Sequence, residues 1–317
     1  MPPAVLCARR DPRWPRDFHH RRTSPLLSPQ QVWELVRSVP PRAERDGSQV
    51  PVVDALPLPE AGPGTIAVTW LGHASVLLRV DGVTLLVDPV LVGGIPGART
   101  RLTGAALTPA QLPPVDAVLI SHDHYDHLDA PTLRRLPRAT PVLAGAGSAP
   151  WFARRGFTDV TELDWWESTR VGPVRVEFVP AHHWSRRTLG DTCRRLWGGW
   201  VVTGTDGRSV VHAGDTGYGP FPSRIGARHR DVAVAVLPVG AYAPRRLLRG
   251  VHMDPAEAVR AAGDLGARVL VPVHWGTFVL SGEPVLEPLE RVRREWRRAG
   301  RDRADLWDLP VGGTGVL

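Results

Sequence analysis

The 317-residue sequence predicts a layered α/β fold, in which helices pack on the outside of β-sheets. Short apolar segments typical of buried strands alternate along the chain with segments that carry helix caps. Several of the apolar segments end in His or Asp, and glycines lie close to them. Because glycine allows close backbone approach and sharp turns, we expect these strand ends to form loops crowded with polar side chains.

The first 64 residues are rich in Pro and Arg and contain one predicted helix. Ser28 is the expected N-cap, Pro29 the first helical residue, and Gln31 completes a capping box. The apolar stripe of this helix would consist of Val32, Leu35 and Val36, with Trp33 near its edge. A stripe of about two turns is short for a membrane-surface helix, so packing against the protein is favoured over that alternative.

Strand patterns begin near Ile66, where the composition changes. We therefore predict an N-terminal arm over residues 1–64 and a second, larger domain over residues 65–317. The arm would pack on that domain near the mouth of its site.

Predicted strands and helices interleave through the second part of the chain. Asp81 and Gly82 between two apolar runs are a strong hairpin signal, and Asp254, Pro255 and Glu257 mark the start of a helix. The predicted strands cover residues 76–80, 83–87, 115–120, 174–179, 209–212 and 269–273. The predicted helices cover residues 131–136, 149–155, 255–265 and 288–299.

The composition favours a soluble, cytoplasmic protein. The chain has no run of about 18 apolar residues that could span a membrane, and its start lacks the apolar segment of a secretory signal. Its two cysteines, Cys7 and Cys193, form neither a disulfide framework nor a zinc pattern. The net charge of +7 comes from 39 basic residues that are all Arg, which indicates compositional bias rather than a nucleic-acid surface.

Residues 122–127, His-Asp-His-Tyr-Asp-His, hold three of the twelve histidines directly after a predicted buried strand. Imidazole and carboxylate groups are suited to Zn²⁺ or a similar transition metal. His122 and His124 are two residues apart, and such a pair shares a side only in extended chain. The spacing therefore indicates a loop in which these two bind one ion, while Asp126 and His127 face a second.

Three further residues of the same chemistry follow predicted strands. They are His183, Asp215 and His274, after the strands at 174–179, 209–212 and 269–273. Each alone would be ordinary loop chemistry, but in this order with the first cluster they form a strong constellation.

The order of these residues, an H-x-H-x-D-H run followed by His, Asp and His, resembles the metallo-β-lactamase superfamily. Further segments resemble one branch, the N-acyl-phosphatidylethanolamine-hydrolysing phospholipase D and its bacterial relatives. Those segments are residues 69–74, 121–129, 183–187, 196–199, 213–218, 238–242, 252–255 and 274–278. The resemblance covers most of the chain after residue 64. It implies a four-layer αββα sandwich, the metallo-β-lactamase fold, with a dinuclear metal site.

The resemblance also implies a ligand set. One ion would be bound by His122, His124 and His183, the other by Asp126, His127 and His274, with Asp215 bridging them. Two Zn²⁺ ions are expected, although iron or manganese also suits mixed His and carboxylate ligands. Two divalent ions and two carboxylates leave a positive site, which favours an anionic phosphodiester over a neutral amide. Metal binding lowers the pKa of water from about 15.7 towards about 7, so catalysis with Asp126 and Asp215 needs no protein nucleophile.

Two residues are candidates for orienting the imidazole ligands from behind. Asp88 ends the predicted strand at 83–87, and His73 lies in one of the segments that carry the resemblance. Either residue is equally compatible with local loop chemistry.

Four residues are candidates for contact with substrate. His252 would donate a proton to the leaving alkoxide or bind a phosphate oxygen, the alternative being a surface histidine beside a helix. Arg187, four residues after His183, would bind phosphate through its guanidinium fork. Tyr218 and Tyr242 lie in segments that carry the resemblance and would contact substrate. An apolar cleft for acyl chains could be lined by Trp165, Trp166, Trp184, Trp197 and Trp275, or these could be core residues.

Three functions remain open on the sequence. The leading one is a zinc phosphodiesterase of the phospholipase D type, acting on N-acyl-phosphatidylethanolamine or a related glycerophospholipid with peripheral membrane contact. The second is a lactonase or soluble phosphoesterase similar to the ascorbate-6-phosphate lactonase branch, with a small-molecule substrate. The third is a nucleic-acid processor or a non-catalytic scaffold, which is disfavoured because no nucleic-acid domain follows residue 290 and no ligand is missing.

Overall fold

The computed structural model describes residues 10–41, 46–95 and 99–317. Cys7 lies outside the described residues. Helices cover Pro29–Ser38 (α1), Ala130–Leu133 (α2), Ala149–Ala153 (α3), Phe221–Arg228 (α4), Arg245–Leu248 (α5), Pro255–Asp264 (α6) and Glu287–Arg298 (α7).

Fifteen strands occur in the described part of the chain. They are Ile66–Gly72 (β1), Ser75–Val80 (β2), Val83–Val87 (β3), Gly94–Ile95 (β4), Arg99–Thr100 (β5), Ala117–Ile120 (β6), Val142–Gly145 (β7), Val160–Leu163 (β8), Ser168–Val171 (β9), Val174–Val179 (β10), Gly199–Thr203 (β11), Ser209–His212 (β12), Val232–Pro238 (β13), Val269–Val273 (β14) and Thr314–Val316 (β15).

Two large mixed sheets dominate the architecture. The first has seven strands in the order β15-β1-β2-β3-β6-β7-β8, and the second has six in the order β14-β13-β12-β11-β10-β9. Strands β3, β6, β7 and β8 run parallel, as do β12, β13 and β14. Strand β11 is antiparallel to both β10 and β12, so β10 points the same way as β12.

The first sheet is buried on both faces, which explains its position between two layers. Val68 and Trp70 of β1 belong to a core shared with the second sheet, whereas the adjacent Leu71 packs in another core with Leu133 and Trp151. This alternation follows from the two-residue period of a strand. Helices α2 and α3 therefore cover one outer face, and α6 contacts β13 and β14 of the second sheet. The predicted four-layer αββα sandwich is confirmed.

The predicted elements agree closely with the observed ones where caps or turns mark them. Helix α1 begins after Ser28 with the expected capping box, and the strands at 174–179, 209–212 and 269–273 have the predicted bounds. The strand predicted at 115–120 begins only at Ala117, and the helix predicted at 149–155 ends at Ala153.

The residues before β1 pack along the rest of the chain. Phe18 is buried in the main core, and its N–H donates to the carbonyl oxygen of Cys193. Val53 donates from its N–H to the carbonyl of Val311. The apolar stripe of helix α1 does not pack on the protein as the sequence predicted, since Val32, Trp33 and Val36 are 45%, 61% and 53% exposed. No helix among the described residues is long and apolar enough to cross a bilayer.

Candidate metal centre

The predicted ligands come together because strands of both sheets end at one edge. Asp88 and His122 follow the parallel strands β3 and β6, and His73 follows β1. From the second sheet, His183, Asp215 and His274 follow β10, β12 and β14, which point the same way. Strand direction therefore places side chains from both sheets at one site.

The first ligand group consists of His122, His124 and His183. Nδ1 of His124 lies 2.9 Å from Nε2 of His122 and 3.1 Å from Nε2 of His183. Two nitrogens on one tetrahedral zinc, each about 2.0–2.1 Å from it, are roughly 3.3 Å apart. These separations therefore suit three nitrogens around a common ion.

The second group consists of Asp126, His127 and His274, joined by His73. Oδ2 of Asp126 lies 3.7 Å from Nε2 of His127 and 3.5 Å from Nε2 of His274. All four residues offer ligand atoms within 4.8 Å of one another. This is the grouping that the sequence predicted for the second ion, with one additional imidazole.

Asp215 lies between the two groups. Its Oδ2 is 3.2 Å from Nε2 of His127 and 3.8 Å from Nε2 of both His122 and His183. Its Oδ1 is 3.2 Å from Nε2 of His274. A carboxylate in this position can contact an ion in either group.

The hydrogen bonds of three imidazoles show that the site fits a cation. The outer Nδ1–H groups donate to protein oxygens: His122 to Ser121 Oγ, His127 to Asp88 Oδ2 and His183 to the carbonyl of Val251. Burial keeps His122 and His183 neutral, and since a neutral imidazole carries one N–H, the inner Nε2 of each directs a lone pair at the other ligands. Nε2 of His127 and of His274 is buried without a hydrogen-bond partner. Both nitrogens face the carboxylate of Asp215 at 3.2 Å, which raises the pKa of both imidazoles, so either a proton or a metal ion has to separate each nitrogen from the carboxylate.

Burial and charge act in opposite directions across the site. Burial lowers the pKa of His122 and His183 well below 6.5, which keeps both neutral and able to bind metal. Burial also opposes a charge on His274, but the carboxylates of Asp215 and Asp126 raise its pKa to about 9. The carboxylates thus favour a positive charge at the second group, and a bound divalent cation would supply that charge.

Asp88 and His73 contact the ligands as supporting residues would. Asp88 is fully buried and accepts hydrogen bonds from the backbone N–H and hydroxyl of Ser121 as well as from His127. His73 donates from Nε2 to Asp126 Oδ2 at 2.9 Å. His73 also lies close enough to be a ligand itself, since its ring centroid is 4.0 Å from that of His274.

His252 lies beside the ligands on the loop before α6. Its ring centroid is 5.2 Å from that of His183 and 5.6 Å from that of His274. Its Nδ1 is buried without a hydrogen-bond partner, and burial lowers its pKa to about 4. His252 is half-buried beside these imidazoles, and its low pKa keeps it neutral at neutral pH.

Arg187 contacts the ligand loop rather than standing free. Its Nη1 donates to the carbonyl oxygens of Asp123 and Leu128, both at 2.7 Å, and its guanidinium lies 4.1 Å from the centre of the Tyr125 ring. One side of the fork thus holds the loop in place. The predicted contact of Arg187 with phosphate stays a prediction, and it would have to use the other N–H groups of the guanidinium.

The two tyrosines have carboxylate partners. The hydroxyl of Tyr218 donates to Asp264 and that of Tyr242 to Glu287, both at 2.6 Å. Substrate contact by either hydroxyl, as predicted, would require it to leave that partner.

A cleft of about 450 Å³ opens onto His124 and Asp126. Its other lining residues are Ile95, Tyr125, Trp184, Arg186, Arg187, Thr188 and Leu189. Trp184 is thus the predicted tryptophan that borders this cleft, whereas Trp197 and Trp275 are buried in the core. Leu189 is 94% exposed at the cleft.

Sequence reasoning missed the residues that brace the ligand loop from behind. Arg195 is half-buried and pairs with Asp123 Oδ2 at 2.5 Å and Asp191 Oδ2 at 3.0 Å. The hydroxyl of Thr277 accepts a hydrogen bond from the backbone N–H of His73. Arg195 belongs to an Arg pair close to a ligand, but only the fold shows that its partner is Asp123.

Comparisons with known proteins agree with this geometry. The model of the beta-lactamase superfamily domain matches residues 84–275. An uncharacterized protein of Mycobacterium tuberculosis is 39% identical over 82% of this chain and 71% of its own. The N-acyl-phosphatidylethanolamine-hydrolyzing phospholipase D 1 of Caenorhabditis elegans is 34% identical over 71% of this chain and 68% of its own. A metallo hydrolase from the archaeon Ignicoccus hospitalis shares the fold, with a TM-score of 0.63 and 23% identity over 80% of this chain and 98% of its own.

Proposed function

The chain belongs to the metallo-β-lactamase superfamily of metal-dependent hydrolases, and we propose that it cleaves a phosphodiester bond with two metal ions. One observation carries the proposal: seven His and Asp side chains converge as two adjacent ligand groups with Asp215 between them. The first ion would be held by His122, His124 and His183, and the second by Asp126, His127 and His274. Zinc suits these ligands best, and iron or manganese is the alternative.

A pair of divalent ions, when bound, would supply a water-derived nucleophile at neutral pH and would stabilise negative charge on the attacking and leaving oxygens. The protein contributes the geometry of the site. Ser121, Asp88 and the carbonyl of Val251 fix the ring orientation of three imidazoles, which is the usual role of residues behind metal ligands.

The substrate is anionic in this proposal because the site is positive. Two divalent ions outweigh the carboxylates of Asp126 and Asp215, and the exposed Arg186 adds a cation at the cleft. Phosphate oxygens are good acceptors for a guanidinium. Ile95, Trp184 and Leu189 offer an apolar wall along the same cleft for an acyl chain.

His252 is the candidate proton donor for the leaving alkoxide. It lies beside His183 and His274, and its Nδ1 has no other partner among the described residues. Because burial lowers its pKa to about 4, the imidazole is neutral at neutral pH, and the role we propose for its single N–H is a hydrogen bond to the departing oxygen.

The specific substrate class we propose is N-acyl-phosphatidylethanolamine or a related glycerophospholipid. The similarity to the phospholipase D of Caenorhabditis elegans supports this class. The exposed apolar side chains of α1 support contact with a lipid surface. Helix α1 is tied to α5 by the ion pair of Glu34 with Arg246, and α5 leads directly to the loop that carries His252.

The test is incubation of the zinc-loaded protein with vesicles of N-acyl-phosphatidylethanolamine, followed by mass spectrometry. Hydrolysis on the head-group side of the phosphate consumes one water and gives phosphatidic acid and an N-acylethanolamine. Appearance of both products supports the proposal. The Asp215→Asn variant is the control and should give neither product. Hydrolysis of lactones with no phosphodiester turnover would instead assign the chain to the lactonase-like alternative.

A further inference from the structure

A second cavity, of about 590 Å³, lies behind the ligand loop. Tyr125, Arg187 and Thr188 also line the cleft that opens onto His124 and Asp126, here called the metal cleft. These three residues therefore separate the second cavity from the metal cleft. The metal ligands do not line this cavity. Its size is within the range of small-molecule pockets, about 300–1,000 Å³.

The lining of this second cavity is strongly basic. Five arginines border it, namely Arg134, Arg154, Arg155, Arg187 and Arg195. Two aspartates, Asp129 and Asp191, are the acidic residues of the lining, so an excess of three positive charges remains. Among the described residues, Arg195 is the one of the five that forms a salt bridge.

Two of these guanidinium groups are held in place by Trp151. The Arg155 guanidinium lies 3.7 Å from the Trp151 ring centre and donates to the Trp151 carbonyl, and the Arg187 guanidinium lies 5.2 Å from the same ring. Burial together with the neighbouring Arg187 and Arg154 lowers the pKa of Arg155 to about 10. Clustered like charges are costly without an anion to offset them, and immobilised guanidinium forks match phosphate oxygens.

We propose that these five arginines form a second binding pocket, separate from the metal cleft, for the phosphate group of a free phosphomonoester or of a lipid head group. The exposed Arg134 and Arg154 stand at its open side, while Arg155, Arg187 and Arg195 form its inner wall. Because Arg187 also holds the backbone of Asp123 and Leu128, an occupant of the pocket contacts a residue that positions the ligand loop.

The test is a ³¹P NMR titration of the zinc-loaded full chain with inorganic phosphate. Two classes of phosphate binding are expected, one at the metal ions and one in the arginine pocket. Binding at the metal ions should be the same in all variants, because none of them changes a metal ligand. In the Arg134→Gln/Arg154→Gln double variant, one class of phosphate binding should weaken at least about fivefold, since two charge-assisted contacts are lost. The Arg135→Gln/Arg230→Gln variant removes two exposed arginines outside the lining and should keep both classes.

Vesicles distinguish the two sources of phosphate. If the pocket takes a lipid head group, phosphatidylcholine vesicles that contain phosphatidic acid should bind the wild type, and the pocket double variant should lose this binding. Unchanged binding of both probes by that variant, or an equal loss in the control, would overturn the proposal. Circular dichroism and zinc content show whether each variant is folded. If the double variant does not fold, the single variants Arg134→Gln and Arg154→Gln take its place, and each is expected to lose part of the affinity. The readout is binding, so it does not depend on the proposed catalytic activity.

Discussion

Asp88 accepts a hydrogen bond from Nδ1 of His127 at 2.8 Å, across 39 residues of sequence. Both side chains are fully buried. This contact leaves Nε2 of His127 facing Asp126 and Asp215, so Asp88 decides which nitrogen of the imidazole can bind an ion.

Replacing Asp88 with Asn should weaken binding of the second ion by about 10- to 100-fold, because residues behind metal ligands contribute about this much to affinity. Competition with a zinc chelator measures the change. Asp159→Asn, at an exposed loop position, is the matched control and should bind zinc like the wild type. Equal affinity in the two variants would show that His127 does not depend on Asp88.

The substitution Asp215→Asn tests the residue between the ligand groups. The wild type should contain about two zinc ions per chain. Because Asp215 contacts ligands of both groups, the variant should hold fewer than two and lose turnover of bis(p-nitrophenyl) phosphate. Elemental analysis and the phosphodiesterase assay measure both effects. A variant with full metal content and full activity would exclude a bridging role.

Metal uptake should release protons at neutral pH. The carboxylates of Asp215 and Asp126 raise the pKa of His274 to about 9, so a proton occupies this imidazole below that pH and must leave when an ion binds. Zinc affinity should therefore rise with pH up to about 9. Calorimetry in buffers of different ionisation enthalpy reports the number of protons released, and a buffer-independent heat at pH 7 would contradict the assignment of His274 as a ligand.

Helix α1 should contribute to activity on membranes and not on soluble substrates. Trp33 is 61% exposed, and burial of a large apolar side chain in a lipid surface is worth about 1.5–3 kcal/mol. Trp33→Ser should therefore reduce vesicle binding roughly tenfold or more and leave hydrolysis of bis(p-nitrophenyl) phosphate unchanged. Val316 is also exposed, and Val316→Ser is the control. The same loss in both variants would argue against a specific membrane contact.

The sequence predicts the elements that have a local signature. The capping boxes at Ser28 and Asp254 mark the starts of α1 and α6 correctly, because caps depend on a few adjacent residues. Strand β13, Val232–Pro238, has no such signature. It is a continuous apolar run, and periodicity alone cannot assign such a run to a strand or a helix.

The site, too, has parts that a local sequence pattern predicts and parts that only the fold reveals. The spacing of His122, His124 and His127 indicates metal chemistry without knowledge of the fold. The ion pair of Arg195 with Asp123 joins residues 72 positions apart, and no local pattern records it. Likewise, the sequence shows that Arg187 is close to His183 in the chain, but only the fold shows that its Nη1 points at the loop backbone.

Anomalous diffraction at the zinc absorption edge, from crystals of the zinc-loaded protein, tests the central claim most directly. Two peaks roughly 3.5–4 Å apart are expected, one among His122, His124 and His183 and the other among Asp126, His127 and His274, with Asp215 between them. A single peak at this site, or none, would contradict a dinuclear centre.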